Sequence, residues 1–284
     1  MRAVALAFSI SLPLSLGSLC VLSLGVTGCD NQPAKTALGY TEDAKRAYDA
    51  AMGEFNAHNW IDAQAQMREI KRKYSYSKYA RLAELRIADA DMAQEKFSDA
   101  IREFKEFIRA HRSDEENIQY ARSKIAECRF AEIPESILMP ASEERDQAAV
   151  VDAYKELREY VGDYPGGKDT AHIRDLLASV TARLVRHELY VARFYLKKGN
   201  YDAAVARVQY ALKNYGGTLK GAATVSEAAE LQAEALLLLG EVYLQMHKWE
   251  EARTAFQVIV ARYAQTPIII DARNYLAYMQ QRGV

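Results

Sequence analysis

The chain has 284 residues and a net charge of −1, from 37 basic and 38 acidic side chains. So balanced a charge provides no positive surface for nucleic acid, and we exclude that class of partner. Half of the residues are hydrophobic while glycine (14) and proline (6) are scarce, which excludes global disorder and favours helices throughout.

The N-terminus has the pattern of an export signal. Arg2 is followed by an uncharged apolar run that ends in Val26-Thr27-Gly28-Cys29. This end is similar to the lipobox of bacterial lipoproteins, in which a cysteine after a small residue is acylated and becomes the new N-terminus. We therefore predict a signal peptide at 1–28, lipidation of Cys29 and a flexible leader at 29–40.

Two alternatives for this segment stay open. The apolar run is longer than the ~18 residues that suffice for a transmembrane helix, so an uncleaved anchor is the alternative to cleavage. Asp30 follows the cysteine, and in enteric bacteria an aspartate there tends to retain lipoproteins in the inner membrane. Both alternatives attach the remaining chain to a membrane.

From residue 41 onward the sequence predicts a row of helical hairpins. An aromatic residue precedes an alanine by three positions, a larger apolar residue follows the alanine after four, and a further apolar residue follows it after seven. The four copies of this pattern begin Trp60–Ala63, Phe97–Ala100, Tyr201–Ala204 and Trp249–Ala252, and Ala153 with Leu157 and Tyr160 provides a fifth. The spacing is that of the second helix of a tetratricopeptide (TPR) repeat.

The predicted fold is therefore all-α, an α-α superhelix (solenoid) of about five TPR-like hairpins over 41–284. Its N-terminal half covers about 41–165 and its C-terminal half about 166–284. First helices are predicted at about 41–57, 78–94, 169–197 and 226–246, with Thr41 as the first N-cap. A last helix at about 267–281 would close the row.

The hairpin from Leu184 to Tyr215 shows the pattern most clearly. Lys197-Lys198-Gly199-Asn200 interrupts two amphipathic runs, and Gly199 and Asn200 can both adopt the left-handed conformation that ends a helix. Between 132 and 145, Pro134 and Pro140 break the helical pattern, which predicts a protruding loop inside the third repeat.

No catalytic or metal-binding pattern accompanies these repeats. The five histidines have no ligand spacing, and Cys128, the remaining cysteine outside the N-terminal segment, has no activating neighbour. We therefore predict a protein without enzymatic activity or cofactor, in which Cys128 is a small apolar helix residue and His187 has a helix-face or satisfied core role. Of the 18 tyrosines, Tyr74, Tyr76 and Tyr79 lie at a repeat junction and are candidates for lining a groove that binds client peptides.

Four stretches resemble the BamD (ComL-type) family of outer-membrane assembly lipoproteins. The most specific is LVRHELYVARFYLKKGNYDAAVARVQYALKNY, and the others are YSYSKYARLAELRIADADM, FSDAIREFKEFIRAHRSDEENIQYA and RDQAAVVDAYKELREYVGDYP. With the lipobox, the resemblance covers nearly the whole mature chain.

The resemblance implies a lipid-anchored scaffold on the periplasmic face of the outer membrane. N-terminal repeats would receive unfolded β-barrel clients, and C-terminal repeats would dock on the periplasmic domains of a BamA-like barrel subunit, alongside accessory lipoproteins. By position, docking falls on Lys198, Gly199 and Tyr201; the family commonly has arginine where this chain has Lys198. The alternative function is a TPR adaptor for a pilus, secretion or Tol-type envelope machine.

Overall fold

The computed structural model describes residues 37–135, 141–219 and 225–284, which form twelve helical segments. These are α1 (Ala37–Asn56), α2 (Trp60–Lys73), α3 (Lys78–Ala93), α4 (Phe97–Ala110), α5 (Glu115–Ala131), α6 (Ala148–Asp163), α7 (Thr170–Lys197), α8 (Tyr201–Asn214), α9 (Gly216–Leu219), α10 (Val225–Gln245), α11 (Trp249–Arg262) and α12 (Ile269–Gln281). The signal segment, Cys29 and the leader up to residue 36 lie outside the described residues. Within the described ranges, no helix is long and apolar enough to span a membrane.

The helices pair into five hairpins, as predicted: α1 with α2, α3 with α4, α5 with α6, α7 with α8, and α10 with α11. The alanine at each crossing is fully buried, because a small side chain lets the two helices approach closely. These alanines are Ala63, Ala100, Ala153, Ala204 and Ala252. The apolar residues four and seven positions further on are buried as well, so the predicted repeat pattern is confirmed in every copy.

In four of the five hairpins, the first helix also contributes a small residue to the crossing. Twelve positions before the crossing alanine stand Ala51, Ala88 and Ala192, all fully buried, and the equivalent residue of the last hairpin is Gly240. A methyl group on Gly240 would lie 2.4 Å from Cε1 of Phe256, inside van der Waals contact. Glycine is therefore required there by the aromatic ring it faces.

Four hairpin turns share one backbone device. The residue two positions before the aromatic has a positive φ: 62° at His58, 60° at Glu95, 73° at Gly199 and 57° at His247. Asn200, predicted to be able to adopt this conformation, has a φ of −90° and instead caps α8, its side chain accepting a hydrogen bond from the Ala203 amide. Three of these turns thus hold a non-glycine residue in the strained left-handed region.

The first helix starts earlier than predicted. α1 begins at Ala37, and Thr41, predicted as the N-cap, lies inside it with its Oγ1 donating to the Ala37 carbonyl at 3.0 Å. Packing explains the extra turn, since the Tyr40 ring lies edge-on to Tyr74 of the α2–α3 connection at 5.4 Å. That contact is remote in sequence and outweighs the local capping signal.

The first helices contact one another from repeat to repeat. α1 packs on α3, α5 on α7 and α7 on α10, and the hydroxyl of Tyr120 in α5 bonds to Asp89 in α3. The first helices therefore line the inner side of the superhelix, while the second helices form its outer side. α12 covers the end of the last hairpin, burying Ala272 and Met279 as predicted for a closing helix.

Candidate partner-binding surfaces

The turn between α7 and α8 presents a cation on a rigid support. α7 ends where the Gly199 amide donates to the Leu196 carbonyl and the Asn200 amide to the Tyr195 carbonyl, both at 3.0 Å. Lys198 is exposed, with Nζ 5.7 Å from the centre of the Phe194 ring. Because Gly199 absorbs the positive φ, the chain reverses within three residues and holds Lys198 at the tip.

Exposed aromatic rings extend this turn along α7. Phe194 is 52% exposed and Tyr190 is 41% exposed, one helical turn apart, while Tyr201 is half-buried at the start of α8. An ammonium beside exposed rings is suited to a partner surface that combines a carboxylate with apolar side chains. The helices beneath are joined by an ion pair of 3.2 Å from Arg207 to Glu188, so the surface is held in place from below.

The three candidate tyrosines of the groove occupy different environments. Tyr74 is 7% exposed and packs in the core between α1, α2 and α3, whereas Tyr76 is 94% exposed at the turn between α2 and α3. Tyr79 is half-buried on α3, where its ring lies 5.6 Å from that of Tyr48 on α1. Of the three, Tyr79 belongs to the inner side, and Tyr76 points away from it at a repeat junction.

A polar cluster on the inner side was missed by the sequence reasoning. Arg86 Nε lies 3.0 Å from an Asp89 oxygen, Tyr120 donates its hydroxyl to the same carboxylate at 2.8 Å, and Lys124 Nζ lies 5.7 Å from the Tyr120 ring centre. The available signal was the i, i+3 spacing of Arg86 and Asp89, which is common in solvated helices as well.

Burial governs the protonation of this cluster. It raises the pKa of Asp89 by more than the Arg86 charge and the Tyr120 hydroxyl lower it, and it raises the pKa of Tyr120. The pKa of Arg86 is raised, because Asp89 and the two nearby tyrosines outweigh the burial that opposes its charge. The Asp89 side chain is the more buried of the two partners, so desolvation determines the direction in which its pKa moves.

The described flanks of the 132–145 segment do not protrude. Glu135 accepts from Arg183 of α7 at 2.5 Å, Arg145 donates to the Pro134 carbonyl at 2.7 Å, and His187 Nδ1 lies 2.7 Å from the Glu143 carbonyl. These contacts tie both flanks to α7, and the part of the segment predicted to protrude between them stays untested. Residues 136–140 lie outside the described residues.

Within the described ranges, no group of three or more histidine, cysteine, aspartate or glutamate side chains is placed to hold a metal ion. Cys128 is fully buried, and burial raises the pKa of its thiol to about 12, so it packs as a small apolar residue. His187 has the structural hydrogen bond just described. Cys128 is thus the small apolar helix residue predicted, and His187 is a histidine whose hydrogen bond is satisfied, as predicted.

Five hairpins with a small residue at each crossing, wound so that their first helices line one side, define a tetratricopeptide solenoid, a class that binds other proteins. A tetratricopeptide repeat matches residues 234–266, and the family described as "YfiO: Outer membrane lipoprotein" matches residues 41–242. The chain belongs to this YfiO family of outer membrane lipoproteins.

Relatives named "Outer membrane protein assembly factor BamD" align over most of the chain. The protein of Caulobacter vibrioides is 26% identical, over 90% of this chain and 78% of its own length. That of Neisseria gonorrhoeae is 24% identical, over 88% and 92%. The resemblance stated from the sequence is thereby confirmed. Among solved structures, the TPR2AB domain of yeast Sti1 in complex with pHSP90 covers 84% of this chain and 96% of its own, at 10% identity and a TM-score of 0.39.

Proposed function

We propose that this chain is a non-catalytic, lipid-anchored scaffold of the outer-membrane β-barrel assembly machinery, held on the periplasmic face of the membrane through Cys29. Its N-terminal repeats receive unfolded barrel proteins, and its C-terminal repeats dock on a BamA-like barrel subunit together with accessory lipoproteins. The observation that supports this most strongly is the family match over residues 41–242, which spans four of the five hairpins and includes the α7–α8 turn.

The docking part of the proposal depends on the α7–α8 turn. Lys198 at its tip offers one cation, and Phe194 and Tyr201 provide adjoining apolar surface. A carboxylate on the barrel subunit is the matching group, and complementary charges at such a contact determine specificity more than total affinity. Arginine at this position would add a second, parallel hydrogen bond to the same carboxylate.

Depletion of the chain tests the proposal as a whole. We expect the amounts of several outer-membrane barrel proteins to fall together, and unchanged amounts would refute it. Capture of secretin or Tol components without a barrel-assembly subunit would instead favour the adaptor alternative.

Substitution at the turn tests the docking site. Lys198→Glu should weaken co-purification of the barrel subunit about 10-fold, which corresponds to ~1.4 kcal/mol. Lys198→Arg should preserve or strengthen it. The matched control is Lys96→Glu, which reverses an exposed lysine in the corresponding turn of the second hairpin, outside the repeats proposed to dock. Equal losses from both reversals would show that overall charge, and not this turn, determines docking.

The client part of the proposal is tested by photo-crosslinking. A crosslinker at Tyr79 faces the inner side of the superhelix, whereas one at Ile61 lies on the outer helix α2, where that side chain is 77% exposed. We expect unfolded barrel protein to be captured from position 79 and not from position 61. The reverse result would place clients on the outer side.

A further inference from the structure

The connection between α2 and α3 has a composition unlike the rest of the surface. Residues 71–79 read KRKYSYSKY, with four basic residues, three tyrosines and no acidic residue. We call this segment the first-joint patch. Tyr76 at its centre is 94% exposed, which makes it the most exposed large hydrophobic side chain in the described part of the chain.

Two cations of the patch are not neutralised by neighbours. Lys71 lies 3.7 Å from Glu84 and Arg72 lies 2.7 Å from Glu69, whereas neither Lys73 nor Lys78 forms an ion pair with any described residue. Instead, Lys73 Nζ lies 5.5 Å from the Tyr74 ring centre and Lys78 Nζ lies 5.2 Å from that of Tyr79. The patch therefore combines a net positive charge with an exposed phenol.

The first turn of α1 lies against this patch. The hydroxyl of Tyr40, in the first turn of α1, is 3.5 Å from the Lys73 carbonyl, and Leu38 in the same turn is 70% exposed. Cys29 precedes Ala37 by eight residues, and a chain of that length spans at most about 29 Å. An acyl chain on Cys29 would thus hold the patch within that distance of a bilayer.

The next connection on the same edge of the superhelix lacks these features. Residues 108–116 contain two arginines and three acidic residues, and Arg81 pairs with Asp114 there at 3.2 Å. Ser113, which is exposed in this connection, has no aromatic ring. The basic and aromatic composition therefore belongs to the connection nearest the proposed anchor.

We propose that the first-joint patch binds the surface of an anionic phospholipid bilayer and thereby orients the solenoid on the membrane. Tyrosine is favoured at the boundary between headgroups and hydrocarbon, and each lysine near an anionic surface adds to the attraction. The occupant is the lipid headgroup layer. This orientation rests on the lipid anchor at Cys29, but the affinity of the patch for anionic lipid does not.

The test uses the acylated full-length mature protein reconstituted into vesicles. An environment-sensitive fluorophore is attached at Tyr76→Cys or, as a matched control, at Ser113→Cys; the buried Cys128 does not compete for the label. In vesicles containing phosphatidylglycerol, nitroxide-headgroup lipids should quench the label at 76 and not the label at 113. Raising the salt concentration to about 1 M, where the Debye length falls to ~3 Å, should abolish the difference.

Removal of the two unpaired lysine charges tests how much the patch contributes to vesicle binding. Lys73→Gln with Lys78→Gln should lower binding of the unacylated Cys29→Ser mature chain to phosphatidylglycerol vesicles about 25-fold, at about 5-fold per lysine. Equal quenching at 76 and 113, or binding that the double substitution leaves unchanged, would overturn the proposal. Protection of the label at position 76 by unfolded barrel protein but not by vesicles would also overturn the proposal, because the patch would then be a surface that binds clients.

A separate measurement shows whether the lipid anchor at Cys29 is present. If Cys29 is not acylated, the protein will not float with neutral phosphatidylcholine vesicles, and the proposed anchoring fails. Salt-sensitive flotation with phosphatidylglycerol vesicles then still decides whether the patch binds anionic lipid.

Discussion

Gly240→Ala adds one methyl group where the last hairpin crosses. That methyl would lie 2.4 to 2.9 Å from Cε1, Cζ and Cδ1 of Phe256, all below contact distance. The ring has little room to retreat, because Phe256 is fully buried and its other neighbour, Tyr275 of α12, stacks on it at 4.9 Å with an interplanar angle of 10°. The methyl must therefore displace either the ring or the helix.

The net cost is the difference between two effects. Forcing an extra methyl into a packed core costs typically 1–3 kcal/mol, and at these distances we expect about 3. Replacing glycine by alanine inside a helix recovers about 1 kcal/mol. The free energy of unfolding should therefore fall by about 2 kcal/mol, or about 4–8 °C in Tm for a domain of this size.

Urea unfolding followed by circular dichroism measures the change. Gly53→Ala is the matched control, since Gly53 lies inside α1 with no atom within 4 Å of the added methyl, and it should stabilise by about 0.5–1 kcal/mol. Phe256→Met places at this repeat position the methionine that the first hairpin has there as Met67. Combined with Gly240→Ala, it should restore more than 1 kcal/mol of the free energy of unfolding that Gly240→Ala removes. If Gly240→Ala stabilises the chain as Gly53→Ala does, the ring contact is not the constraint we infer.

Three further predictions concern the turns, the inner cluster and the thiol. Glu95→Gly should stabilise the chain by about 0.5–1 kcal/mol, because it relieves the strain of a φ of 60°. Gly199→Ala, which has open space around it, should destabilise the chain by a similar amount, because it introduces a side chain at a φ of 73°. Stability changes of the same sign in the two variants would contradict the turn geometry. Tyr120→Phe removes a donor to a buried carboxylate and should cost about 1–2 kcal/mol at pH 7. Losing the donor raises the already raised pKa of Asp89 further, and a raised carboxyl pKa gives stability that is present at low pH and lost as the pH rises. The loss of stability caused by Tyr120→Phe should therefore become smaller as the pH falls through the pKa of Asp89. Cys128 should react with iodoacetamide at pH 8 at the rate of global or local unfolding, since its pKa of about 12 leaves very little thiolate; fast labelling of the folded chain would refute its burial.

The sequence predicted what depends on local periodicity. The crossing alanines and the apolar residues that follow them are spaced by turns of one helix, and Ala153 could be placed without any aromatic marker because Leu157 and Tyr160 repeat the spacing. The α7–α8 turn was equally accessible, since Gly199 both ends α7 and adopts the positive φ. The similar turn at Glu95 was not, because glutamate carries no signal for the left-handed conformation.

What the sequence could not show depends on contacts between distant residues. Thr41 has the composition of an N-cap, but α1 extends past it because Tyr40 packs on Tyr74. The flanks of the 132–145 segment look irregular in sequence, yet Glu135 meets Arg183 forty-eight residues later. The identity of a groove residue is also a tertiary property: Tyr74, Tyr76 and Tyr79 share one short segment and occupy a core, an exposed junction and an inner surface.

The two proposed interaction surfaces lie on opposite edges of the superhelix. Consecutive helices run antiparallel, so the described turns within hairpins lie on one edge and the described connections between hairpins lie on the other. Lys198 is in a turn of the first kind, and the first-joint patch is a connection of the second kind. A chain held to the bilayer by the patch would therefore direct the α7–α8 turn away from the lipid surface. The two sets of substitutions should then act independently: Lys198→Glu should weaken capture of the barrel subunit without changing quenching at position 76, and Lys73→Gln with Lys78→Gln should do the reverse. Coupled losses would mean that one surface serves both partners.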